Sequence, residues 1–385
     1  MSDVFEPVSF LQSLIAFPSV SSISNLGVNE AIAAILDRLG FSITFCNYND
    51  NAGVTKSNLI ATRLPRMNQP QQGGVAYFCH TDVVPADDWS GPGEAFCSSI
   101  QDGRIYGRGS CDMKGSLVAM LTAISRMKGE AQSTPIHVIC TGDEEVGFVG
   151  ARHLVASSPE YRQLVHSQPL AIIGEPTNCD VVHAHKGIFG FRIISRGRAA
   201  HSSTRDGLNA NLAMVPIINE LVRLYQLAES DPTLQDDRFD PPTLSWNFGF
   251  SDYSKASNIV PARSEAWVSL RTMPTINGEK LVAEAETKAE ELGLEFRREK
   301  GGGPVWIDPN LPSIRAMCEV ADCSAPKTVC YGTDGGEFTE LKQMVVCGPG
   351  DIAQAHTADE YLSLSQLQRG IEIYAGVLKR WCVAK

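Results

Sequence analysis

The stretch Val75-Ala-Tyr-Phe-Cys-His80-Thr-Asp82 joins a short apolar run to polar residues that follow it directly. Short apolar runs of this kind are typical of buried strands. The same arrangement recurs where Ile136–Cys140 precedes Glu144-Glu145 and where Leu170–Ile173 precedes Glu175. Because ligands bind outside the carboxyl ends of strands in an open α/β sheet, we expect these polar residues to meet at one edge of a sheet.

Helical segments alternate with the strand-like runs. Apolar residues recur with helical spacing at Val8–Phe17, Asn29–Leu39 and Lys114–Lys128. This alternation predicts an α/β fold, with helices around a mostly parallel central sheet. The chain has 385 residues, more than one hydrophobic core usually holds, so two domains are expected.

The pattern changes beyond Lys186, where strand, helix, two strands, helix and strand follow one another. This β-α-β-β-α-β order is typical of a ferredoxin-like α+β domain. The segment Gly301-Gly-Gly-Pro304 then provides a linker to further α/β elements. We therefore predict a discontinuous first domain, residues 1–185 and 301–385, that is interrupted by a second domain, residues 186–300.

Charge and cysteine content argue against several classes of protein. The formal net charge is −11, whereas nucleic-acid binding requires clustered Lys and Arg, so no nucleic-acid partner is expected. The eleven cysteines form no C-x-x-C pair and lie mostly in apolar runs, which indicates reduced thiols in a cytoplasmic protein. The first residues, Met1-Ser-Asp-Val-Phe-Glu6, lack the features of a secretory signal, and the sequence contains no membrane span.

Histidine and carboxylate residues dominate the predicted site. His80, Asp112, Glu145, Glu175 and His356 offer nitrogen and oxygen ligands without cysteine, a set that favours Zn²⁺, or Co²⁺ or Mn²⁺ in its place. Two metal ions need a bridging carboxylate, and Asp112 is our candidate because the glycines before it let the backbone approach closely. The sequence therefore predicts a two-metal hydrolase.

Two further acids receive roles in this prediction. Asp82 stands two residues after His80 and is expected to orient an imidazole rather than to bind metal. Adjacent acids on loop backbone point in different directions, so we assign Glu145 as a ligand and Glu144 as the base that takes a proton from water.

Each residue also has a simpler structural explanation. His80 alone is more often a satisfied core histidine, Asp112 a helix cap, and Glu175-Pro-Thr a plain turn. The pair Glu144-Glu145 alone would suit a solvated loop. The metal site is favoured because all of these residues would have to coincide at predicted strand ends.

Five motifs carry a family resemblance. In chain order they are Cys-His80-Thr-Asp82-Val-Val-Pro, Tyr-Gly-Arg-Gly-Ser-Cys-Asp112-Met-Lys-Gly, Thr-Gly-Asp-Glu144-Glu145-Val-Gly, Gly-Glu175-Pro-Thr and Ala-His356-Thr-Ala-Asp-Glu. Together they resemble the dinuclear-zinc amidohydrolases that include acetylornithine deacetylase, succinyl-diaminopimelate desuccinylase, aminoacylase and carboxypeptidase G. The resemblance spans nearly the whole chain, and the order and spacing of the motifs are its specific part.

The resemblance implies a zinc-peptidase-like catalytic domain and two zinc ions. His80, Asp112 and Glu175 would hold one ion, while Asp112, Glu145 and His356 would hold the other. Glu144 would be the general acid and base. The family also implies that the second domain is a lid through which two chains form a homodimer.

Further residues gain roles only from this resemblance. His201, in Ala-Ala-His201-Ser-Ser, would stabilise the oxyanion in its own subunit or in the partner subunit. Asn258, Arg271, Gly332 and Thr333 would contact the substrate, and the guanidinium of Arg271 suits a bidentate grip on an α-carboxylate.

The substrate implied by the resemblance is a small N-acyl amino acid. Ala-His185-Lys186-Gly after Glu175 is similar to acetylornithine deacetylases, and Ile188-Phe189 replaces the basic residues with which desuccinylases meet a second carboxylate. The segment Tyr331-Gly-Thr-Asp334-Gly-Gly-Glu337-Phe instead resembles a desuccinylase pattern, so that activity and other N-acyl-amino-acid deacylations stay open, as does a catalytically idle amino-acid-binding protein. We also hypothesise that Asp334 or Glu337 receives the ornithine ammonium.

Overall fold

The structure is a computed structural model that describes residues 6–65, 72–127 and 131–384. The residues Met1–Phe5, on which the expectation about a secretory signal mainly rests, lie outside these ranges, as does Lys128, the expected end of one helix. The helices are α1 (Pro7–Ile15), α2 (Leu26–Arg38), α3 (Gly115–Arg126), α4 (Val149–Ser157), α5 (Pro159–Ser167), α6 (Ala210–Ser230), α7 (Glu279–Glu291), α8 (Pro312–Ala321) and α9 (Leu364–Cys382). Across these ranges, none of the helices has both the length and the apolar character that a membrane span requires.

The strands are short and are distributed along the whole described chain. They are β1 (Ser42–Asn49), β2 (Thr55–Arg63), β3 (Val75–His80), β4 (Ser99–Gln101), β5 (Arg104–Tyr106), β6 (Ile136–Thr141), β7 (Leu170–Ile173), β8 (Val182–His185), β9 (Phe189–Arg196), β10 (Asn247–Ser251), β11 (Arg263–Leu270), β12 (Glu295–Glu299), β13 (Val305–Trp306), β14 (Lys327–Val329), β15 (Met344–Val346) and β16 (Tyr361–Ser363).

The chain divides into two compact units. The first, which we call the discontinuous unit, comprises residues 1–184, 306–327 and 333–385. The second, which we call the inserted unit, comprises residues 185–305 and 328–332.

A large mixed sheet forms the centre of the discontinuous unit. Its described strands follow the order β1-β2-β6-β3-β7-β15-β8-β13, and β14 pairs with β8. The four middle strands, β6, β3, β7 and β15, run parallel, as predicted. On one side β1 and β2 run antiparallel, because the short turn 50–54 joins them as a hairpin. The α/β prediction is confirmed, with a parallel centre and antiparallel flanks.

Helices α3 and α9 pack against β3 and fix its position. Helix α3 is buried from Gly115 to Ile124. The hydroxyl groups of Tyr77 in β3 and Tyr374 in α9 each lie 2.8 Å from Ser116 Oγ, at the start of α3. The two tyrosine rings also meet edge to face, 5.5 Å apart. These contacts hold the strand that ends at His80.

The inserted unit contains one antiparallel four-stranded sheet among its described residues. Its elements follow one another as β9-α6-β10-β11-α7-β12, and the strands lie in the order β10-β11-β9-β12. This is the β-α-β-β-α-β order expected from the sequence. Phe191 and Ile193 of β9 are fully buried, whereas Arg192 and Arg196 alternate with them and form ion pairs on the other face.

Candidate metal centre

Three candidate ligands lie at the carboxyl ends of the parallel strands in the discontinuous unit. His80 is the last residue of β3, Glu175 follows β7, and Glu145 lies in the loop after β6. These strands are neighbours in the sheet. The alternation of apolar run and polar residue in the sequence thus delivers three side chains to one sheet edge.

Two more candidates come from irregular segments. Asp112 lies in a distorted helical turn, Ser110–Lys114, that leads into α3, and its own backbone is not helical (φ −117°, ψ 91°). His356 follows the short helix Ile352–Gln354 and adopts a left-handed backbone conformation (φ 63°). Asp112 thus has near-extended backbone inside a helical turn, and His356 has the left-handed conformation that often follows a helix end.

The Asp112 carboxylate faces two groups of ligands with different oxygens. Its Oδ1 lies 2.9 Å from His80 Nε2, and Glu175 Oε1 lies 3.6 Å from the same nitrogen. Its Oδ2 lies 3.4 Å from His356 Nε2, which is 2.8 Å from Glu145 Oε2. Within each trio the ligand atoms lie within 4.8 Å of one another. This is the arrangement expected of a bridging carboxylate.

The His80 ring is oriented for ligation through Nε2. Its Nδ1 lies 2.9 Å from the backbone carbonyl oxygen of Asp82. Because a carbonyl only accepts hydrogen bonds, Nδ1 carries the proton and the lone pair of the neutral ring lies on Nε2. The Nε2 lone pair therefore faces the carboxylates of Asp112 and Glu175. Without a cation between them, these groups would repel one another.

The electrostatics of the site fit divalent cations. Burial raises the pKa of Glu175 well above its usual value, and the charge of Asp112 adds to the effect. Burial also raises the pKa of Glu145, again with a contribution from Asp112. The ionised forms of buried carboxylates that raise one another's pKa are unfavourable without an opposite charge nearby. A bound cation supplies that charge. Nitrogen and oxygen donors without cysteine suit zinc, cobalt or manganese.

The Asp82 carboxylate has a different place from the one expected. Its Oδ1 is 3.8 Å from His80 Nδ1, so the backbone carbonyl rather than the side chain orients the imidazole. The carboxylate accepts hydrogen bonds from Ser21 Oγ at 2.7 Å, from Glu144 N at 3.1 Å and from Glu145 N at 3.4 Å. Asp82 therefore fixes the backbone of the two adjacent glutamates.

Glu144 is half-buried beside the candidate ligands. Burial raises its pKa well above the usual value, His80 opposes the shift, and the charges of Glu175 and Glu145 strengthen it. A carboxylate with a raised pKa is a candidate for proton transfer. The arrangement thus places such a carboxylate near two trios of candidate ligands.

A buried ion pair next to these glutamates was not predicted. Lys56 Nζ lies 2.9 Å from Asp143 Oδ1, and the side chains are 1% and 2% exposed. The same nitrogen donates to the carbonyl oxygens of Ser21 and Ile23, and Tyr48 OH donates to Asp143 Oδ2 at 3.0 Å. The pair fixes the residue before Glu144. The only sign of this pair in the sequence was Asp143, the additional acid before Glu144-Glu145 in the Gly-Asp-Glu-Glu motif.

The two acids hypothesised to receive an ammonium group are already engaged. Glu337 Oε1 pairs with Arg152 NH1 at 3.0 Å. Asp334 is 4% exposed, and its Oδ2 accepts a hydrogen bond from Thr141 Oγ1 at 2.5 Å. Burial raises the pKa of Asp334 to about 7. These contacts argue against both acids as acceptors for a substrate cation.

The structure brings together two of the residues implied by the resemblance in the inserted unit. His201 and Asn258 are both exposed, and Ser202 N donates to the Asn258 carbonyl oxygen at 3.0 Å. The His201 Nδ1 lies 2.7 Å from Ser203 Oγ. Arg271 follows β11, apart from this pair in the sequence, and its backbone N–H donates to the Leu244 carbonyl oxygen.

Gly332 and Thr333 begin the glycine-rich segment before Phe338. Thr333 Oγ1 accepts a hydrogen bond from Gly335 N at 3.0 Å and thereby caps a short helix. At Gly332, a side chain would bring its first carbon within 3.0 Å of the Lys186 carbonyl oxygen. Backbone packing alone therefore explains the glycine.

Comparison with known proteins now identifies the family. The sequence profile of peptidase family M20/M25/M40 matches residues 76–380. This chain belongs to the M20 family. As a member it is a metal-dependent hydrolase that acts on amide bonds. The alternative of a catalytically idle binding protein is therefore not supported.

Curated relatives of this M20 chain align over nearly its full length. The acetylornithine deacetylase of Myxococcus xanthus is 30% identical over 393 residues, which cover 99% of each chain. The acetylornithine deacetylase of Pasteurella multocida is 30% identical and covers 97% of this chain and 98% of its own.

Solved structures share the fold at lower identity. The dipeptidase Dug1p of Saccharomyces cerevisiae has a TM-score of 0.77 at 18% identity, with 97% of this chain and 95% of that chain covered. The M20 family metallo-carboxypeptidase Sso-CP2 of Sulfolobus solfataricus has a TM-score of 0.75 at 18% identity, with 97% and 98% covered. The Bacillus subtilis YXEP protein, described as a dinuclear metal binding peptidase, has a TM-score of 0.61 at 15% identity, with 96% of each chain covered.

Proposed function

We propose that this M20 family member removes the acetyl group from N2-acetyl-L-ornithine and releases L-ornithine and acetate, a step of arginine biosynthesis. The observation that carries this proposal is the similarity to acetylornithine deacetylases, which extends over 99% of this chain and of the Myxococcus xanthus enzyme. The two trios of candidate ligands support it, since function depends on the chemistry of the site rather than on the fold.

The proposed cofactors are two Zn²⁺ ions, for which Co²⁺ or Mn²⁺ can substitute. His80, Asp112 and Glu175 would hold one ion, and Asp112, Glu145 and His356 would hold the other. When bound, such ions supply the Lewis acidity that polarises an amide carbonyl and makes water nucleophilic at neutral pH.

The chain itself would move the proton and stabilise charge. Glu144 takes a proton from the attacking water and later delivers it to the nitrogen that leaves as the amine of ornithine. The Asp82 carboxylate holds Glu144 in place through the hydrogen bond that it accepts from the Glu144 backbone N–H. The imidazole of His201 donates a hydrogen bond to the oxyanion of the tetrahedral intermediate.

Four residues would position the substrate. Arg271 binds the α-carboxylate through two parallel hydrogen bonds, a geometry that its planar guanidinium favours. Asn258, Gly332 and Thr333 provide further polar contacts. Together they would select an N-acylated α-amino acid.

We also propose that the protein acts in the cytoplasm as a homodimer formed through the inserted unit. All eleven cysteines are free thiols, which suits a reducing compartment. Strand β10 lies at the edge of its sheet, and its residue Phe250 (62% exposed) and Val215 of α6 (56% exposed) line a cavity of about 540 Å³. An apolar patch beside an open sheet edge is typical of an association surface.

One observation favours a different acyl group. The segment Tyr331-Gly-Thr-Asp334 is similar to the desuccinylase pattern, whereas the apolar Ile188-Phe189 offers no cation to a succinyl carboxylate. A buried carboxylate without a partner is costly, so the second observation outweighs the first.

The substrate can be tested with a panel of N-acyl amino acids. The purified, zinc-loaded protein would be assayed with N2-acetyl-L-ornithine, N-succinyl-diaminopimelate and N-acetyl derivatives of apolar and acidic amino acids. We expect the highest kcat/KM for acetylornithine. A higher value for any other compound would overturn the substrate assignment.

A further inference from the structure

Glu360 has no role in the chemistry described so far, although it is among the most deeply buried carboxylates of the described residues, at 1% exposed. It stands four residues after His356 in the chain. We propose that Glu360 is a positioning residue that holds Asp112 and His356 together, so that the second trio of ligands forms. This inference rests on the ligand set of the proposed function.

The Glu360 carboxylate accepts four hydrogen bonds from the segment that carries Asp112. Its Oε1 accepts from the backbone N–H groups of Cys111 at 2.8 Å and Asp112 at 3.0 Å. Its Oε2 accepts from the backbone N–H of Gly109 at 2.9 Å and from Arg108 NH1 at 3.0 Å. Three backbone donors and one guanidinium therefore converge on a single side chain.

The local backbone explains why this segment needs an acceptor. Gly109 has a left-handed conformation (φ 82°) and Asp112 departs from helical geometry. The N–H groups of Gly109, Cys111 and Asp112 therefore point to one side, whereas the Ser110 N–H donates to the Gly107 carbonyl oxygen. Such a concave arrangement of N–H groups binds anions. Without Glu360 these buried donors would lose the acceptor that satisfies them, which is unfavourable.

Backbone pairing ties the two segments together next to this contact. The Gly107 N–H donates to the Glu360 carbonyl oxygen at 3.1 Å, and β16, which begins at Tyr361, pairs with β5. The segment that carries His356 is thus joined to the segment that carries Asp112, at a point just after His356 and just before Asp112 in the chain. Glu360 adds the contact that reaches Asp112 itself.

This position predicts an unequal effect on the two trios. The trio of Asp112, Glu145 and His356 contains two residues on the segments that Glu360 joins. The trio of His80, Asp112 and Glu175 contains only one. Loss of the Glu360 contacts should therefore weaken ion binding at the second trio more than at the first.

The test measures Zn²⁺ binding to metal-free protein by titration calorimetry and chelator competition. Glu360→Gln keeps the volume but places an NH₂ group against backbone donors, and Glu360→Asp keeps the charge but shortens the reach. In both variants we expect the site of Asp112, Glu145 and His356, identified as the one that His356→Ala removes, to lose about 10–100-fold in Zn²⁺ affinity, as is typical when a residue that orients metal ligands is replaced. The other site should change less, and kcat should fall with little change in KM.

Glu265→Gln is the matched control. Glu265 is a buried carboxylate (3% exposed) in the inserted unit, paired with Arg192 at 2.7 Å and Arg263 at 2.5 Å. Its loss should lower the melting temperature but leave both Zn²⁺ affinities unchanged. If Glu360→Gln behaves in the same way, its role is only structural and the inference is overturned. Should that variant fail to fold, Glu360→Asp decides by the same criterion.

A second variant separates this inference from the proposed ligand set. His356→Ala is expected to bind one Zn²⁺, with the affinity of one of the two wild-type sites, and this identifies the site that the other trio forms. If it binds two as the wild type does, the ligand set is wrong. If it binds one while Glu360→Gln and Glu360→Asp bind two with wild-type affinity, the ligand set stands and the role of Glu360 is refuted.

Discussion

Glu144 and Glu145 are adjacent and chemically identical, yet the structure gives them different surroundings. Glu145 Oε2 lies 2.8 Å from His356 Nε2. The pKa of Glu144 is instead governed by burial and by the charges of His80, Glu175 and Glu145. The Asp82 carboxylate holds the backbone N–H groups of both. At the residue scale, the proposed division into ligand and base thus rests on backbone position rather than on residue type.

The base assignment predicts the behaviour of Glu144→Gln. The amide cannot accept the proton of water, so kcat should fall by about 10²–10⁴-fold, the usual contribution of general acid–base catalysis. Both metal ions should remain, because the ligand trios are intact, and elemental analysis would measure them. Glu340→Gln, the same change at an exposed position, is the control. Turnover close to that of the wild type would remove Glu144 from the mechanism.

The Lys56–Asp143 pair predicts a coupled loss of stability and turnover. Lys56→Met leaves the Asp143 charge buried without its partner, which should lower the free energy of unfolding by about 3–5 kcal/mol. The displaced Asp143 should also shift Glu144 and lower kcat. Urea unfolding and steady-state kinetics would measure the two effects.

An exposed pair provides the comparison. Lys327 pairs with Asp180 at 2.7 Å, but its side chain is 60% exposed, so Lys327→Met should cost no more than about 1 kcal/mol. Equal losses of unfolding free energy in the two variants would mean that burial does not increase the contribution of the Lys56–Asp143 ion pair to stability.

At the scale of elements, the sequence predicted strands best where an apolar run and the polar residues directly after it form one local signal. The run Leu170–Ile173 is β7 itself, and Val75–Cys79 lacks only the last residue of β3. Helix α4 was missed because its short segment carries a weaker apolar periodicity, and α5 because it has few apolar residues and buries only Tyr161 and Leu164. The Lys56–Asp143 pair and the Glu360 contacts were missed for another reason, since they join distant segments through side chains that no local pattern relates.

His137, a buried residue of strand β6, leads us to expect that the stability of the protein depends on pH. Burial lowers the pKa of His137 from 6.5 to about 4. Between these values the unfolded chain binds a proton that the folded chain does not, so stability falls as the pH falls from 6.5 towards 4. At pH 5 the loss of stability amounts to about 2 kcal/mol, because each pH unit below the pKa of the unfolded chain contributes about 1.4 kcal/mol.

His137→Gln removes this titration, so the difference in unfolding free energy between pH 7 and pH 5 should be smaller in the variant. Urea unfolding of both proteins at the two pH values measures it. Other groups titrate equally in both proteins and cancel in the comparison. An identical pH dependence would show that folding does not shift the pKa of His137.

At the scale of the whole molecule, the proposed dimer makes a prediction about mass. The wild type should have twice the 41.7 kDa of one chain in light scattering. Phe250→Glu places a charge on the apolar patch beside β10 and should yield the single-chain mass. Ile100→Glu, at an exposed apolar residue (50%) of the discontinuous unit, should leave the mass unchanged. A wild type with the mass of one chain would contradict the dimer.

The sheet order of the discontinuous unit also bears on how the protein is made. Strand β15, Met344–Val346, lies between β7 and β8 although the ribosome delivers it long after both. Until then, the nascent chain carries an open parallel edge at β7, which invites mispairing. The segment from β9 to β12 is continuous and is free to fold earlier. In the proposed site, the trio that contains His356 can form only after that residue is made, long after Asp112 and Glu145, whereas the trio of His80, Asp112 and Glu175 does not depend on it.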